Sequence, residues 1–478
     1  MRTAIFVLLG LATIQSAKAQ DLPVTGSHIS GTPSLQPLRV IDRAELEASG
    51  YATFGDFLQR LPEQGGAQGP NVNNGGDGST QLALHNLTAA RTLVLVDGKR
   101  WVSHATLALG AVDLSTIPTE SIERIEILES GGSAIYGANA VGGVLNIITR
   151  KRSDGVEASA LGSLSSRGDA RQYNLSVTSG LTGDKSSFFF GAGYFDREAL
   201  LAGTRGFATS QLAYDATTGG ASRFGSLFLP SATVGSLSAC TSKVCQDLQR
   251  AFGPGVQTYV AAGACAGCVD GFRPRTAGDS YNSQEVSDLV TPSQQLSLFS
   301  NGEVRFSPVA RAYFQGSFVN RRSSNLVAAS PLELSVAADD PANPFGAPVT
   351  VTRRFTEAGG RSTGEDLDTL RGVVGIDGGL PSGLTFDLSF SFARSTDTFT
   401  TNGSFETNLL TAGNFFAPAG TLTQPDLAAM GLHTGVFRDL VQQASTRLDV
   451  TQTLFSLGPA REATRAAGYE YRAEFGSL

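Results

Sequence analysis

Four cysteines carry the most obvious chemistry in this sequence. Cys240, Cys245, Cys265 and Cys268 fall in one stretch, and no others occur. Their spacing, C-x4-C followed by C-x2-C, suits disulfides and would also suit zinc. Cys265 to Cys268 alone has the form of a redox pair, but no βαβ pattern surrounds it. His28, His85, His104 and His433 are scattered, with no H-E-x-x-H or other ligand spacing, so no metal site is expected. Glu123, Arg124 and Glu126 could act as acids and a base in a soluble enzyme, yet they cluster within a strand-like run and more naturally form ion pairs or a solvated face. The glycine-rich stretch 131–143 could cradle a phosphate, but it lacks the GK[ST] ending and is not G-x-G-x-x-G. There is no G-x-S-x-G elbow. No catalytic constellation emerges, and no enzyme or cofactor is expected.

The compartment helps to choose among these readings. Arg2 gives a short positive start, Ala4 to Ala12 an apolar run too short to span a bilayer as a helix, and Ala17-Lys18-Ala19 a small-x-small cleavage site. Residues 1–19 therefore read as a secretion signal. An exported chain meets oxidising conditions, which favours disulfides over zinc. The formal charge of −7 becomes −9 once Arg2 and Lys18 leave with the signal. An acidic chain without basic clusters does not fit nucleic acid as a partner. Charged residues make up only 17% of the sequence and glycine supplies 56 residues, a mix that suits alternating β-barrel strands.

Three zones follow the signal. Residues 20–38 are short, polar and proline-containing, with a small extended patch at Asp21-Leu22-Pro23-Val24-Thr25. Residues 39–151 alternate helix and strand signals. Asp42 and Glu45 frame a helix Arg43 to Ala48. Thr53 caps a second, with Phe54, Phe57, Leu58 and Leu61 on one face. Gly65 to Ser79 reads as loop. Thr92 to Val96, Ile122 to Leu128 and Val144 to Thr149 read as strands, with the turn Asp97-Gly98 after the first. From residue 152 to 478 the period is two. Leu384, Phe386, Leu388, Phe390 and Phe392 share one face, with Thr385, Asp387, Ser389 and Ser391 on the other. Tight turns at 182–185 and 307–308 alternate with long connections: about 95 residues from Glu198, about 45 from Arg322 and about 40 from Asp397. Short turns on one side and long loops on the other are the pattern of a membrane barrel. A disulfide in the longest connection would restrain an otherwise floppy surface loop.

The order of motifs between residues 91 and 151 is more specific. Arg91-Thr92-Leu93-Val94-Leu95-Val96-Asp97-Gly98-Lys99-Arg100 is followed by Val112-Asp113-Leu114-Ser115-Thr116-Ile117-Pro118. Then come Ile122-Glu123-Arg124-Ile125-Glu126-Ile127-Leu128, Gly132-Ser133-Ala134-Ile135-Tyr136-Gly137 and Ala140-Val141-Gly142-Gly143-Val144-Leu145-Asn146-Ile147-Ile148-Thr149. This succession resembles the plug domain of TonB-dependent outer-membrane receptors. Val24-Thr25-Gly26-Ser27 resembles the entry to such plugs. The resemblance implies a mixed α/β plug at 39–151, then an antiparallel transmembrane β-barrel at 152–478, in the outer membrane of a Gram-negative bacterium. It implies active import of an extracellular ligand such as a siderophore, cobalamin or a carbohydrate. It also implies pairing of a TonB box at Asp21 to Thr25 with TonB and its proton-driven inner-membrane motor. Pro23 would remove one backbone donor there, and His85-Asn86 stands where related plugs often carry Arg-Gly. In this setting the small residues at 131–143 would let the plug lie close to a surrounding wall, with Tyr136 and Asn146 bonding to it, and Glu123, Arg124 and Glu126 would make plug-to-wall ion pairs. The candidate ligand-facing residues are Asn73, Asn74, Asp77, Arg100, Trp101 and His104, though Trp101 could equally anchor packing.

About nine or ten strands are countable after residue 151. A barrel that holds a plug needs about twenty-two. The expectation is therefore an incomplete barrel, and a chain that transports only when the remainder is supplied. Two other classes fit less well. A passive porin or adhesin needs no plug, and an exported enzyme needs a catalytic set that is missing.

Overall fold

The computed structural model of the protein describes residues 25, 37–72, 76–104, 110–130, 132–215, 217, 219–238, 241–253, 255–265, 267–276, 278–456 and 462–477. The signal sequence, Asp21 to Val24, Asn73, Asn74 and Cys240 lie outside the described residues.

A five-stranded sheet organises the first domain. It contains β1 (Leu38–Asp42), β2 (Thr92–Val96), β3 (Lys99–Arg100), β4 (Ile122–Leu128) and β5 (Gly143–Thr149), in the order β1-β4-β5-β2-β3. Only β2 and β5 run parallel. The apolar runs dictate this centre: all of β2 and all of β5 are buried, as befits strands covered on both faces. Asp97 and Gly98, both at positive φ, turn β2 into β3. The helix α1 (Arg43–Ala48) starts where Asp42 accepts the backbone N–H of Glu45 at 2.8 Å. Thr53 caps α2 (Phe54–Leu58), which ends before Leu61, although Leu61 still reaches the core. A short helix α3 (Ser133–Tyr136) precedes β5.

The glycines near β5 serve this domain rather than a wall. A Cβ on Gly143 would sit 2.6 Å from Leu84 Cδ1 and 2.7 Å from the Leu128 carbonyl. One on Gly132 would meet Val144 at 2.7 Å. Asn146 likewise bonds within the domain, to Gly98 and Thr25.

The second unit is one nine-stranded antiparallel meander. Its strands are β6 (Gly155–Ser163), β7 (Gln172–Thr182), β8 (Ser186–Arg197), then Ser293–Ser307, Ala310–Val327, Arg361–Gly379, Leu384–Ser404, His433–Ser456 and Glu462–Ser477, paired in chain order. Among the described residues the sheet is open at β6 and at its last strand. Its faces are reversed relative to a soluble protein. Leu370, Val374, Ile376, Leu388, Phe390 and Phe392 are exposed, while Gln315, Arg321, Glu365, Arg371, Asp397 and Gln443 are buried on the other face. Apolar side chains outward and polar side chains inward is the arrangement a lipid-embedded barrel wall requires. The first domain sits on the polar face, and Ala393 and Val441 of the wall join its hydrophobic core.

The second and third long connections are shorter than the sequence suggests, and the first is more ordered. Wall strands extend beyond the apolar stretch, so that Ala310–Val327 ends and Arg361–Gly379 begins well past it. The connection after β8 is not floppy. It contains the helix α4 (Lys243–Phe252) and the strands Thr233–Gly235, Thr258–Ala261 and Phe272–Pro274. These share a five-stranded sheet with Pro331–Val336 and Val349–Arg354 from the next connection. Val234, Leu248, Tyr259, Phe345, Phe355, Phe415 and Leu427 form its own core. Cys265 and Cys268 form a disulfide, and Cys245 is also disulfide-bonded.

Candidate functional site

The seam between the first domain and the wall concentrates the polar chemistry. On the domain side the turn at Asp97-Gly98 makes one anchor. Asp97 accepts from Gln315 Nε2 at 2.7 Å and from Thr149 Oγ1 at 2.5 Å, and Arg447 donates to the Gly98 carbonyl at 2.6 Å. Burial works to raise the Asp97 carboxyl, but Lys151 and the Thr149 bonds hold it below the usual range. Lys99 faces Asp387 at 3.3 Å. Glu120 accepts from Ser297 Oγ at 2.8 Å, and burial pushes its carboxyl up. Asn325 donates to the Gly76 carbonyl at 2.8 Å.

A second anchor lies where the segment after β3 meets the inner face of the fifth to eighth strands of the meander, Ala310–Val327 to His433–Ser456. Arg321, fully enclosed, donates to Asp113 at 3.0 Å and to Glu365 at 2.8 Å. His104 lies beside three carboxylates: Asp397 at 3.1 Å, Glu365 at 3.4 Å and Asp77 at 4.0 Å. Burial disfavours an imidazolium, but the adjacent Asp397 and Glu365 carboxylates and the charge of Asp113 overcome it, so His104 is held well above its ordinary range. Asp397 and Asp439 stand directly opposite each other across two paired strands, 1% and 3% exposed.

The residues singled out from sequence divide accordingly. Asp77 and His104 come together, but buried in the seam and not on an open surface. Trp101 is 5% exposed, donates to Thr116 at 2.8 Å and lies under the Arg371 guanidinium, 4.8 Å from its centroid, so it anchors packing. Arg100 donates to the Tyr136 carbonyl at 2.5 Å and lies 3.7 Å from Glu470. Glu126 is not on a solvated face. It is fully buried, pairs with Arg124 at 2.8 Å and holds Thr25, whose backbone N–H donates at 3.0 Å and whose hydroxyl donates at 2.5 Å. Asn146 Nδ2 donates to the Thr25 hydroxyl at 2.8 Å. The sequence reading missed Asp113, Arg321, Glu365, Asp397 and Asp439 as site residues. The available signal was charge on the inward parity of a barrel strand, as at Glu365, Leu367, Thr369 and Arg371.

Residues 33–144 match the family model described as TonB-dependent Receptor Plug Domain. The chain is 36% identical over 158 residues to the iron-regulated outer membrane virulence protein of Vibrio cholerae, covering 30% of this chain and 23% of that one. It is 38% identical over 116 residues to the vitamin B12 transporter BtuB of Photobacterium profundum, covering 24% and 18%. Its fold is similar to a mutant of the ferric enterobactin receptor of Pseudomonas aeruginosa, with a TM-score of 0.52 at 13% identity, over 92% of this chain and 49% of that one. The match thus spans about half the length of that structure and under a quarter of the curated relatives. A sheet that matches the TonB-dependent receptor plug family thus sits on the polar face of an antiparallel, outward-apolar wall, in a fold similar to that of a solved outer-membrane receptor.

Proposed function

We propose that the protein is an import receptor whose plug is displaced by energy delivered through TonB. The observation that carries this reading is the polar seam. The plug is held to the wall mostly by hydrogen bonds and ion pairs, with Ala393 and Val441 as buried apolar wall contacts, so a shift exposes little apolar surface. Residues Asp21 to Thr25 would pair with an edge strand of TonB, with Thr25 docked on Glu126 when the receptor rests. The inner-membrane motor supplies force from the proton gradient, and outer-membrane lipid covers the apolar face of the wall. The ligand would be a small extracellular one, of the siderophore, cobalamin or carbohydrate classes. Asn73 and Asn74 remain proposed ligand contacts, whereas Asp77, Trp101 and His104 seat the plug.

Uptake in cells expressing the protein tests this, with radioiron citrate, a radioiron catecholate and radiolabelled cobalamin as probes. Accumulation of at least one should require the protein, stop on adding a protonophore, and stop on deleting residues 21–25. Accumulation that persists after both treatments would mark a passive pore and sink the proposal.

A further inference from the structure

The second anchor is over-supplied with negative charge. Asp77, Asp113, Glu365, Asp397 and Asp439 are all buried to 5% exposure or less. Arg321 contributes one positive charge to this group, with Asp77 and Asp397 also acting on it. His104 contributes at most one more and lies within electrostatic reach of Asp439. With all five ionised, two cations would leave a buried excess of about three negative charges, a state that burial disfavours unless a further cation or protons compensate it. Asp397 and Asp439 repel directly across the strand pair.

The carboxylate positions also leave capacity unused. Neither oxygen of Asp397 and not Asp77 Oδ2 has a well-formed hydrogen bond, although all three are buried. His104, Glu365 and Asp397 each offer one ligand atom, and the three atoms lie within 4.8 Å of one another. From His104 Nε2 the other two lie at 3.1 Å and 3.4 Å. Ligands at about 2.05 Å around a tetrahedral ion are separated by about 3.3 Å, so these spacings match one ion's coordination shell.

We propose that His104, through Nε2, and Glu365 and Asp397 bind one divalent transition-metal cation, with Asp77 on the Nδ1 side of the ring as a neighbouring carboxylate. One imidazole with carboxylates selects zinc or a neighbouring first-row ion over calcium or magnesium, which take oxygen alone. The ion brings two charges where a proton on His104 brings one. It joins the plug, through His104, to two adjacent wall strands, through Glu365 and Asp397. The site therefore clamps the plug in place and does not depend on the identity of the imported ligand.

The test uses the protein purified in detergent and stripped with a chelator, then dialysed against zinc or titrated with cobalt(II). One equivalent should bind, with the visible absorption of tetrahedral cobalt. Glu365→Gln and Asp397→Asn should each weaken binding at least tenfold, while His433→Gln, an exposed histidine, should not. Each variant is first checked for heat-modifiable gel mobility. X-ray absorption of the zinc-loaded wild type needs no variant and should show nitrogen and oxygen neighbours at about 2.0–2.1 Å. No binding by the wild type, undiminished binding by folded Asp397→Asn, or a shell without nitrogen would overturn the proposal.

Discussion

Replacing Thr25 with valine should release the N-terminal segment from the plug. Valine keeps the shape but removes the hydroxyl, which donates to Glu126 and accepts from Asn146. A hydrogen bond to a charged acceptor is worth about 1.5–3 kcal/mol net, and a buried donor left without an acceptor, here Asn146 Nδ2, costs about 1–3 kcal/mol. The backbone bond from Thr25 to Glu126 survives, and neighbouring effects do not add fully. A loss of about 2–4 kcal/mol follows, or about 30- to 1000-fold in the docked-to-released ratio. The assay is the spectrum of a nitroxide on Val24→Cys. Labelling there is selective, because the described cysteines are all in disulfides. The immobile component should dominate with Thr25 present and collapse in the T25V background. Identical line shapes in the two proteins would refute the docking argument.

Three further outcomes follow from the seam. Glu120 has a folded pKa raised by burial, so its penalty is absent below about pH 4.5 and grows as pH rises through the raised value. The melting temperature should fall across that window in the wild type, and Glu120→Gln should flatten the dependence and melt higher at neutral pH. Asp97 behaves oppositely: its depressed carboxyl stabilises above its ordinary value of 3.8 and loses that contribution as pH falls through the folded value. Asp97→Asn should cost about 1–3 kcal/mol at neutral pH and make acid unfolding less steep, read by circular dichroism during titration. Gly78 has φ +75°, and a Cβ there would lie 2.1 Å from Ser323 Oγ. Gly78→Ala should push the plug loop off the wall and open it to limited proteolysis, and an unchanged digestion pattern would count against the close approach.

Legibility followed locality. Strands β2 and β4 have the bounds expected from sequence, because an apolar run bounded by turn or capping residues fixes them without distant help. The Asp42 cap of α1 was readable for the same reason. The strand ends at 323–327 and 361–367 were not, since they carry no lipid-facing apolar alternation and are held by pairing to each other. The ordered connection after β8 escaped notice because Thr233–Gly235 pairs with a strand more than a hundred residues later. The site was half legible. Asp77 and His104 stood out as polar residues in plug loops, but Arg321, Glu365 and Asp397 reach them only through barrel register. Likewise the absence of ligand spacing around the histidines says nothing about a site assembled from residues 104, 365 and 397.

The proposal that this plug answers to TonB is tested by binding of TonB itself. The purified C-terminal domain of TonB from the same organism is titrated into the detergent-solubilised protein, intact or lacking residues 21–25. Saturable binding to the intact protein and none to the deleted one is expected. Equal binding to both, or none to either, would contradict it.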